Sequence, residues 1–196
     1  MVTEFYEAVF KRRSVRCFRE EPVPEDALNR ILEAARWAPS AGNTQPWHFV
    51  VVTEVDVKRE IAEICTEYSR KHWEEFPPEV ARYLAARGGS WDKSTMAKIP
   101  VLVAVCYELP ERMRHELVLG SVWAAIENML LAATAEGLGS CIYTFYNIEE
   151  EDRIKRILRV PKEYRIAAII QLGYAAAQPP PPTRKPLREI IHRQRF

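Results

Sequence analysis

Apolar positions recur along this chain in two rhythms, one suited to helices and one to strands, with proline-bearing loops between them. Phe5, Val9 and Phe10 fall on one side of a helix over residues 3–12, from whose end the basic run Lys11, Arg12, Arg13, Ser14, Val15, Arg16 emerges. A second helix starts at Pro24, a favoured first-turn residue, with Glu25 and Asp26 suited to the positive end of its dipole. Leu28, Ile31, Leu32 and Ala35 form its stripe, and Pro39 stops it. A loop over residues 40–46 then leads into Trp47, His48, Phe49, Val50, Val51 and Val52, a run that reads as a buried strand.

Val57, Ile61, Ile64 and Tyr68 mark a third helix, after which residues 72–98 read as irregular, with Pro77-Pro78, Gly88-Gly89 and mixed aromatics and charges. Residues 99–107 are apolar enough for a central strand. Residues 117–136 form a long helix, apolar nearly all round and closed by Gly137 as a left-handed cap. Such a helix needs cover on every side, from a central position or, the favoured reading, from a partner subunit. A short strand over 140–145, a helix opened by Glu149, Glu150, Glu151 and Asp152, and a strand over 165–172 ended by Gly173 follow. Residues 178–182 predict a stiff polyproline stretch, and the tail ends in Arg184, Lys185, Leu187, Ile190 and Ile191. A solvated tail has no need of those apolar residues, so the arm is expected to dock. Strands and helices interleave without a repeat, which predicts an α+β fold with a layered sheet.

Composition narrows the chemistry. The 28 basic and 27 acidic side chains nearly cancel, so no broad field draws nucleic acid or an anionic membrane, and any anion site must be local. The N-terminus lacks the pattern of a signal peptide, which predicts a cytoplasmic protein. Glu127 and Asn128 interrupt the most apolar stretch and favour a helix buried in protein over one in lipid. Cys17, Cys65, Cys106 and Cys141 are widely spaced and read as reduced thiols, with no metal site. His48, His72, His115 and His192 join no metal or nucleophile motif, and no Walker or Rossmann fingerprint occurs.

Four segments remain that can carry chemistry. Arg12, Arg13, Ser14 and Arg16 offer planar forks and a hydroxyl to a phosphate, or else form a solvated helix end. The loop Pro39, Ser40, Ala41, Gly42, Asn43, Thr44, Gln45, Pro46 combines small residues with carboxamides, as a flat ligand needs, although a polar connector reads equally well. Gly137-Leu138-Gly139-Ser140, followed by Cys141, Ile142, Tyr143 and Thr144, either presents backbone N–H groups to a ring heteroatom or is a capped helix entering a strand. The proline-rich arm with Arg184 and Lys185 is either a further anion ligand or a loose terminus.

In identity, order and spacing these four segments together resemble the nitroreductase family of flavoproteins along essentially the whole chain. The resemblance implies a single domain over residues 1–196, built as a three-layer α/β/α sandwich around a largely antiparallel sheet. Residues 66–98 would be a variable substrate-pocket segment, and residues 175–196 an arm crossing to the partner of an intertwined homodimer. It implies bound FMN, with Arg12 and Arg184 on the phosphate, Arg13 and Lys185 beside them, Ser14 on the phosphate or ribityl chain, and Arg16 at the pyrimidine edge. Pro39, Ser40, Ala41 and Asn43 would meet the isoalloxazine from the partner chain, Gln45 would support that loop, and Ile142, Tyr143 and Thr144 would lie by N5 and O4, donating mainly through backbone. The implied activity is ping-pong hydride transfer from NAD(P)H through flavin N5 to a nitroaromatic, quinone or similar small-molecule acceptor, with no side-chain acid or base required. Reductive dehalogenation, metabolite oxidation, flavin breakdown and a non-catalytic flavin sensor are the alternatives. In residues 66–98 no motif transfers, and Tyr68, Arg70, Lys71, Trp73, Tyr83, Trp91 and Lys98 are candidates by location only.

Overall fold

The computed structural model describes residues 5–86, 94–145 and 147–196. Four strands, β1 (Trp47–Val52), β2 (Val101–Glu108), β3 (Gly139–Tyr143) and β4 (Tyr164–Gly173), form one sheet in the order β1-β2-β4-β3, and each neighbouring pair is antiparallel. The central strand β2 shows why its sequence reads as an unbroken apolar run. Val101, Val103, Val105 and Tyr107 enter one core, and Leu102, Ala104 and Cys106 enter the other. Successive side chains point to opposite faces, so a strand covered on both sides must be apolar throughout.

Helices α2 (Glu25–Arg36) and α5 (His115–Ala135) cover one face, and α3 (Val55–His72) and α6 (Ile148–Leu158) the other. The result is a three-layer α+β sandwich. Ala27, Leu28, Ile31 and Ala35 form the buried stripe of α2, which packs along α5. On α5 the buried residues Val118, Ser121, Val122, Ala125, Ile126, Met129, Leu130 and Ala133 keep the spacing of a single helical face. This helix is long and apolar enough to cross a membrane by composition, yet that face packs into the protein core. Its far side is covered only in part, by α1 (Phe5–Lys11).

Local signals explain the helix ends. Gly137 adopts φ +77°, which lets Leu138 N–H reach Ala133 O at 2.8 Å and Gly137 N–H reach Thr134 O at 3.1 Å. At the start of α6, Asn147 Oδ1 accepts Glu150 N–H at 2.9 Å.

Several boundaries differ from the sequence reading. Residues 72–98 are more regular than expected, because α4 (Pro78–Ala85) forms with Pro78 at its first helical position, where the missing N–H costs nothing. One-turn helices flank it at Trp73–Glu75 and Ser94–Lys98, while Gly88, Gly89 and Trp91, like residues 1–4, lie outside the described residues. β2 begins at Val101 rather than 99, after Pro100, which has no N–H for the ladder. β3 ends at Tyr143, so Thr144 lies beyond the ladder.

Buried charge on the α3/α6 side is satisfied within the chain. Lys58 Nζ donates to Ile99 O at 2.7 Å and Pro100 O at 3.2 Å, and burial pushes its ammonium below its ordinary pKa. The Glu151 carboxylate accepts two N–H bonds from Arg165, at 2.8 and 2.7 Å, and one from Ile166 N–H at 2.8 Å. The four cysteines form no disulfide, with Cys17 exposed; burial pushes the Cys106 thiol up to about 12.

Candidate functional site

The basic segment after α1 is held by backbone pairing with strands that come much later in the chain. Ser14 forms a parallel bridge with Ser140, and Val15 N–H donates to Ser140 O at 2.9 Å. The approach is close: a Cβ on Gly139 would lie 2.8 Å from a Val15 methyl, so only glycine lets the two segments meet. Farther on, Arg19 N–H donates to Tyr174 O and Ala176 N–H to Cys17 O, both at 2.9 Å, around a bridge from Phe18 to Ala175. The chain leaving β4 is thereby tied alongside the basic segment, and the proline stretch that comes next carries Arg184 back to it.

The consequence is a cleft of about 120 Å³ lined by Arg12, Arg13, Ser14, Arg16 and Arg184, together with Tyr83, Pro179, Pro180 and Pro182. Four guanidinium groups line it and no carboxylate does, among the described residues. Nearby contacts orient these forks. Arg13 Nη1 donates to Phe10 O and Arg12 O at 2.7 Å each, Arg16 Nη1 to Ser14 O at 3.2 Å, and Arg184 Nη1 to Thr183 O at 3.3 Å. Arg12 Nε lies 3.7 Å from Glu127 Oε1. A guanidinium carries five donors, so such contacts aim it without exhausting it. Like charges gathered at this density repel unless an anion joins them, and a phosphate dianion matches the donor set. Lys185 is exposed and does not line the cleft.

The loop over residues 39–45 lies elsewhere. A one-turn helix at Ala41–Asn43 is anchored on α5, where Ser121 Oγ accepts Ala41 N–H at 3.0 Å and donates to Leu117 O at 2.8 Å. Ser40 Oγ accepts Gln45 N–H at 3.0 Å, and Gln45 Nε2 donates to Asn43 O at 3.3 Å. Gly42, Asn43 and Gln45 have φ of +59°, +54° and +48°, a tight winding that asparagine tolerates and glutamine rarely adopts. None of Pro39, Ser40, Ala41, Asn43 and Gln45 lines the arginine cleft of its own chain. Along α5, Ser121 beneath the loop and Glu127 beside Arg12 are separated by roughly 9 Å at the rise of an α-helix.

At the end of β3, Ile142 is half-buried and Thr144 exposed, while the Tyr143 side chain turns into the α3/α6 core. Its hydroxyl donates to Glu150, and burial, with Cys65 and Glu150 adding to it, pushes the phenol well above its ordinary pKa. Only the backbone of Tyr143 is available to a ligand on the sheet edge. The parallel direction of the Ser14–Ser140 bridge sends Arg16 along that edge toward Ile142.

Of the location-only candidates among the described residues, Tyr83 alone joins the cleft. Tyr68 is core, Trp73 packs on Phe76, Arg70 and Lys71 are exposed, and Lys98 lies 3.4 Å from Glu20. The supporting roles of Gly139, Ser121 and Glu150 were not assigned from sequence. Gly139 carried a usable signal, being a second glycine two residues after the Gly137 cap, where the cap itself does not require one.

The model of the nitroreductase family matches residues 9–174. A protein of Thermotoga neapolitana named iodotyrosine deiodinase is 30% identical over 188 residues, covering 96% of each chain. One of Thermus thermophilus named NADH dehydrogenase is 32% identical over 195 residues, covering 94% of this chain and 93% of that protein. Among solved structures, an oxidised iodotyrosine deiodinase bound to FMN and 3-iodo-L-tyrosine superposes with a TM-score of 0.86 at 28% identity, covering 98% of this chain and 100% of that one. A BluB-like flavoprotein from Clostridium difficile 630 gives 0.78 at 27% identity, covering 97% and 98%. With the family pattern matched from the basic segment to the end of β4, and the same fold found in an FMN-bound relative, this chain belongs to the nitroreductase family.

Proposed function

We propose that this protein is an FMN-dependent oxidoreductase, active as a homodimer, that passes hydride from NAD(P)H to a nitroaromatic, quinone or similar small acceptor. The observation that carries this reading is the cleft in which Arg12, Arg13, Arg16 and Arg184 meet Ser14. Its donor set suits the FMN phosphate: Arg12 and Arg184, with Arg13, would hold the dianion, and Ser14 a phosphate or ribityl oxygen. Each charge-assisted contact contributes about 1.5–3 kcal/mol. The chemistry FMN supplies when bound is two-electron transfer, with hydride entering and leaving at N5. Arg16 is assigned the pyrimidine edge, where a fixed cation favours the added electron density, and the backbone of residues 142–144 the N5 and O4 side. No acid or base side chain is assigned to the transfer. Lys185, outside the cleft, would contribute at most long-range charge.

Two features support the dimer. Leu117, Leu187, Ile190 and Ile191 are at least half exposed in the lone chain, as are Phe5, Tyr6 and Phe10 of α1. In addition, the loop with Pro39, Ser40, Ala41 and Asn43, supported by Gln45, does not reach the cleft of its own chain, so a partner's loop would cover the flavin ring.

A second reading, reductive dehalogenation of a halogenated phenol, is favoured by the likeness to two iodotyrosine deiodinases. Anaerobic titration separates the readings. Purified holoenzyme is expected to be yellow, to bleach with NADH or NADPH, and to recover colour with a nitroaromatic or quinone. Recovery with 3-iodotyrosine and release of iodide, without recovery by those acceptors, selects dehalogenation. Colour that persists under excess of both nucleotides selects the sensor, and protein that takes up no FMN sinks the reading altogether.

A further inference from the structure

The outer edge of β3 pairs with the basic segment at Ser140, whose carbonyl accepts Val15 N–H. Alternation along the ladder turns the N–H of Ile142 to that same edge. Backbone groups serve a ligand well only when they are held still, and the ladder with β4 stops at Tyr143, opposite Ile169. The strand end therefore needs a second hold.

The Tyr143 side chain supplies it. Its hydroxyl donates to Glu150 in the first turn of α6, and the Cys65 thiol of α3 adjoins the same phenol. Asn147 Oδ1 accepts Glu150 N–H at 2.9 Å, and the Phe145 ring meets Tyr143 edge-on, 6.1 Å between centroids. Tyr143 is 7% exposed and Glu150 0%. Filling this space did not require polar groups, because two apolar residues of the same shape can replace a buried bonded pair at little cost. What the bond adds is direction: a shift of the strand end against α6 breaks it.

We infer that Tyr143 and Glu150 are positioning residues: through their bond, α6 fixes where the backbone of residues 142–144 stands against the flavin, and so sets how readily the flavin accepts hydride. This rests on the proposed flavin site, with that backbone on the N5 and O4 side. N–H dipoles aimed at a ring that gains electron density favour its reduced form, and the effect declines as they turn or move away. Neither side chain is assigned a contact with the cofactor.

The test measures the reduction potential of bound FMN by equilibration with redox dyes, which requires no turnover. Tyr143→Phe keeps the ring and loses the bond. It is expected to lower the ratio of reduced to oxidised flavin about tenfold at a fixed potential, which is about 30 mV for a two-electron couple. Adding Glu150→Leu to that variant removes the stranded carboxyl as well, so stability should recover while the potential stays low. Ile61→Val, in the same core, should lower stability and leave the potential unmoved. A wild-type potential in Tyr143→Phe, its recovery in the double variant, or an equal shift in Ile61→Val would each overturn the positioning role while FMN binding stands. Wild-type protein that takes up no FMN shows instead that the flavin reading has failed, and this inference with it.

Discussion

The two faces of the sheet are finished differently. On the α3/α6 side, Ile61, Cys65, Met96, Ile154 and Ile169 are wholly enclosed, and Lys58, Glu150 and Glu151 find their partners within the chain. On the α1/α5 side the inner stripe of α5 is just as well packed, but beyond it Phe5, Tyr6 and Phe10 are 64%, 70% and 70% exposed and Leu117 is 51% exposed. One side is a completed core; the other is half of a core. In the proposed homodimer a surface of that kind is the interface, so stability would reside mainly in the first face and assembly, with the proposed cofactor, in the second.

The largest expected effect tests that division directly. Leu117→Glu should convert the dimer to monomer in sedimentation velocity and strip most of the FMN, because a partner's loop can no longer cover the ring. Val55→Glu, a matched change at a 55% exposed position on α3, should do neither. If Leu117→Glu remains dimeric with full flavin, the contrast between the faces is wrong. Next in size, Arg12→Ala is expected to weaken FMN binding by about 1.5–3 kcal/mol, tenfold or more by fluorescence titration, without lowering the melting temperature of the apoprotein. Wild-type affinity in that variant would remove the phosphate assignment.

The enclosed side answers to stability measurements instead. Tyr143→Phe deprives the buried Glu150 carboxyl of its hydroxyl donor and should cost about 1–3 kcal/mol in denaturant unfolding, with the dimer intact. The smallest effect concerns pH. Burial lowers the folded-state pKa of Lys58, so between that value and the ordinary lysine value the unfolded chain binds more protons than the folded one. Stability from this group therefore rises with pH across that alkaline window, and Lys58→Met should flatten the slope; an unchanged slope would mean that Lys58 does not titrate there.

Much of this was legible in the sequence, and for a local reason. The stripe of α2, the runs of β1 and β4, the Gly137 cap and the all-round apolarity of α5 are periodicities or single-residue conformations that neighbours along the chain suffice to express. The four chemical segments were visible too, but each also read as an ordinary helix end, connector or tail, and only their joint order and spacing, by resemblance to a family, singled them out. α4 was missed because Pro77-Pro78 is a breaker in one register and a good start in the next, and the choice rests with the residues after it, Glu79 to Ala85. Tyr83 had no motif; its place in the cleft arises from where α4 is set down.

What the amino-acid pattern by itself determined is the kind of each element, the layering of helices on a sheet, and a basic run after the first helix that reads either as an anion site or as a solvated helix end. Only the tertiary structure decided that Arg12 and Arg184, from opposite ends of the chain, share a cleft, that the Asn43 loop lies apart from it, and that Tyr143 turns inward. Periodicity is a property of a few consecutive residues. Convergence depends on the strand order β1-β2-β4-β3 and on the contact of Val15 with Gly139, interactions between segments that no local pattern relates.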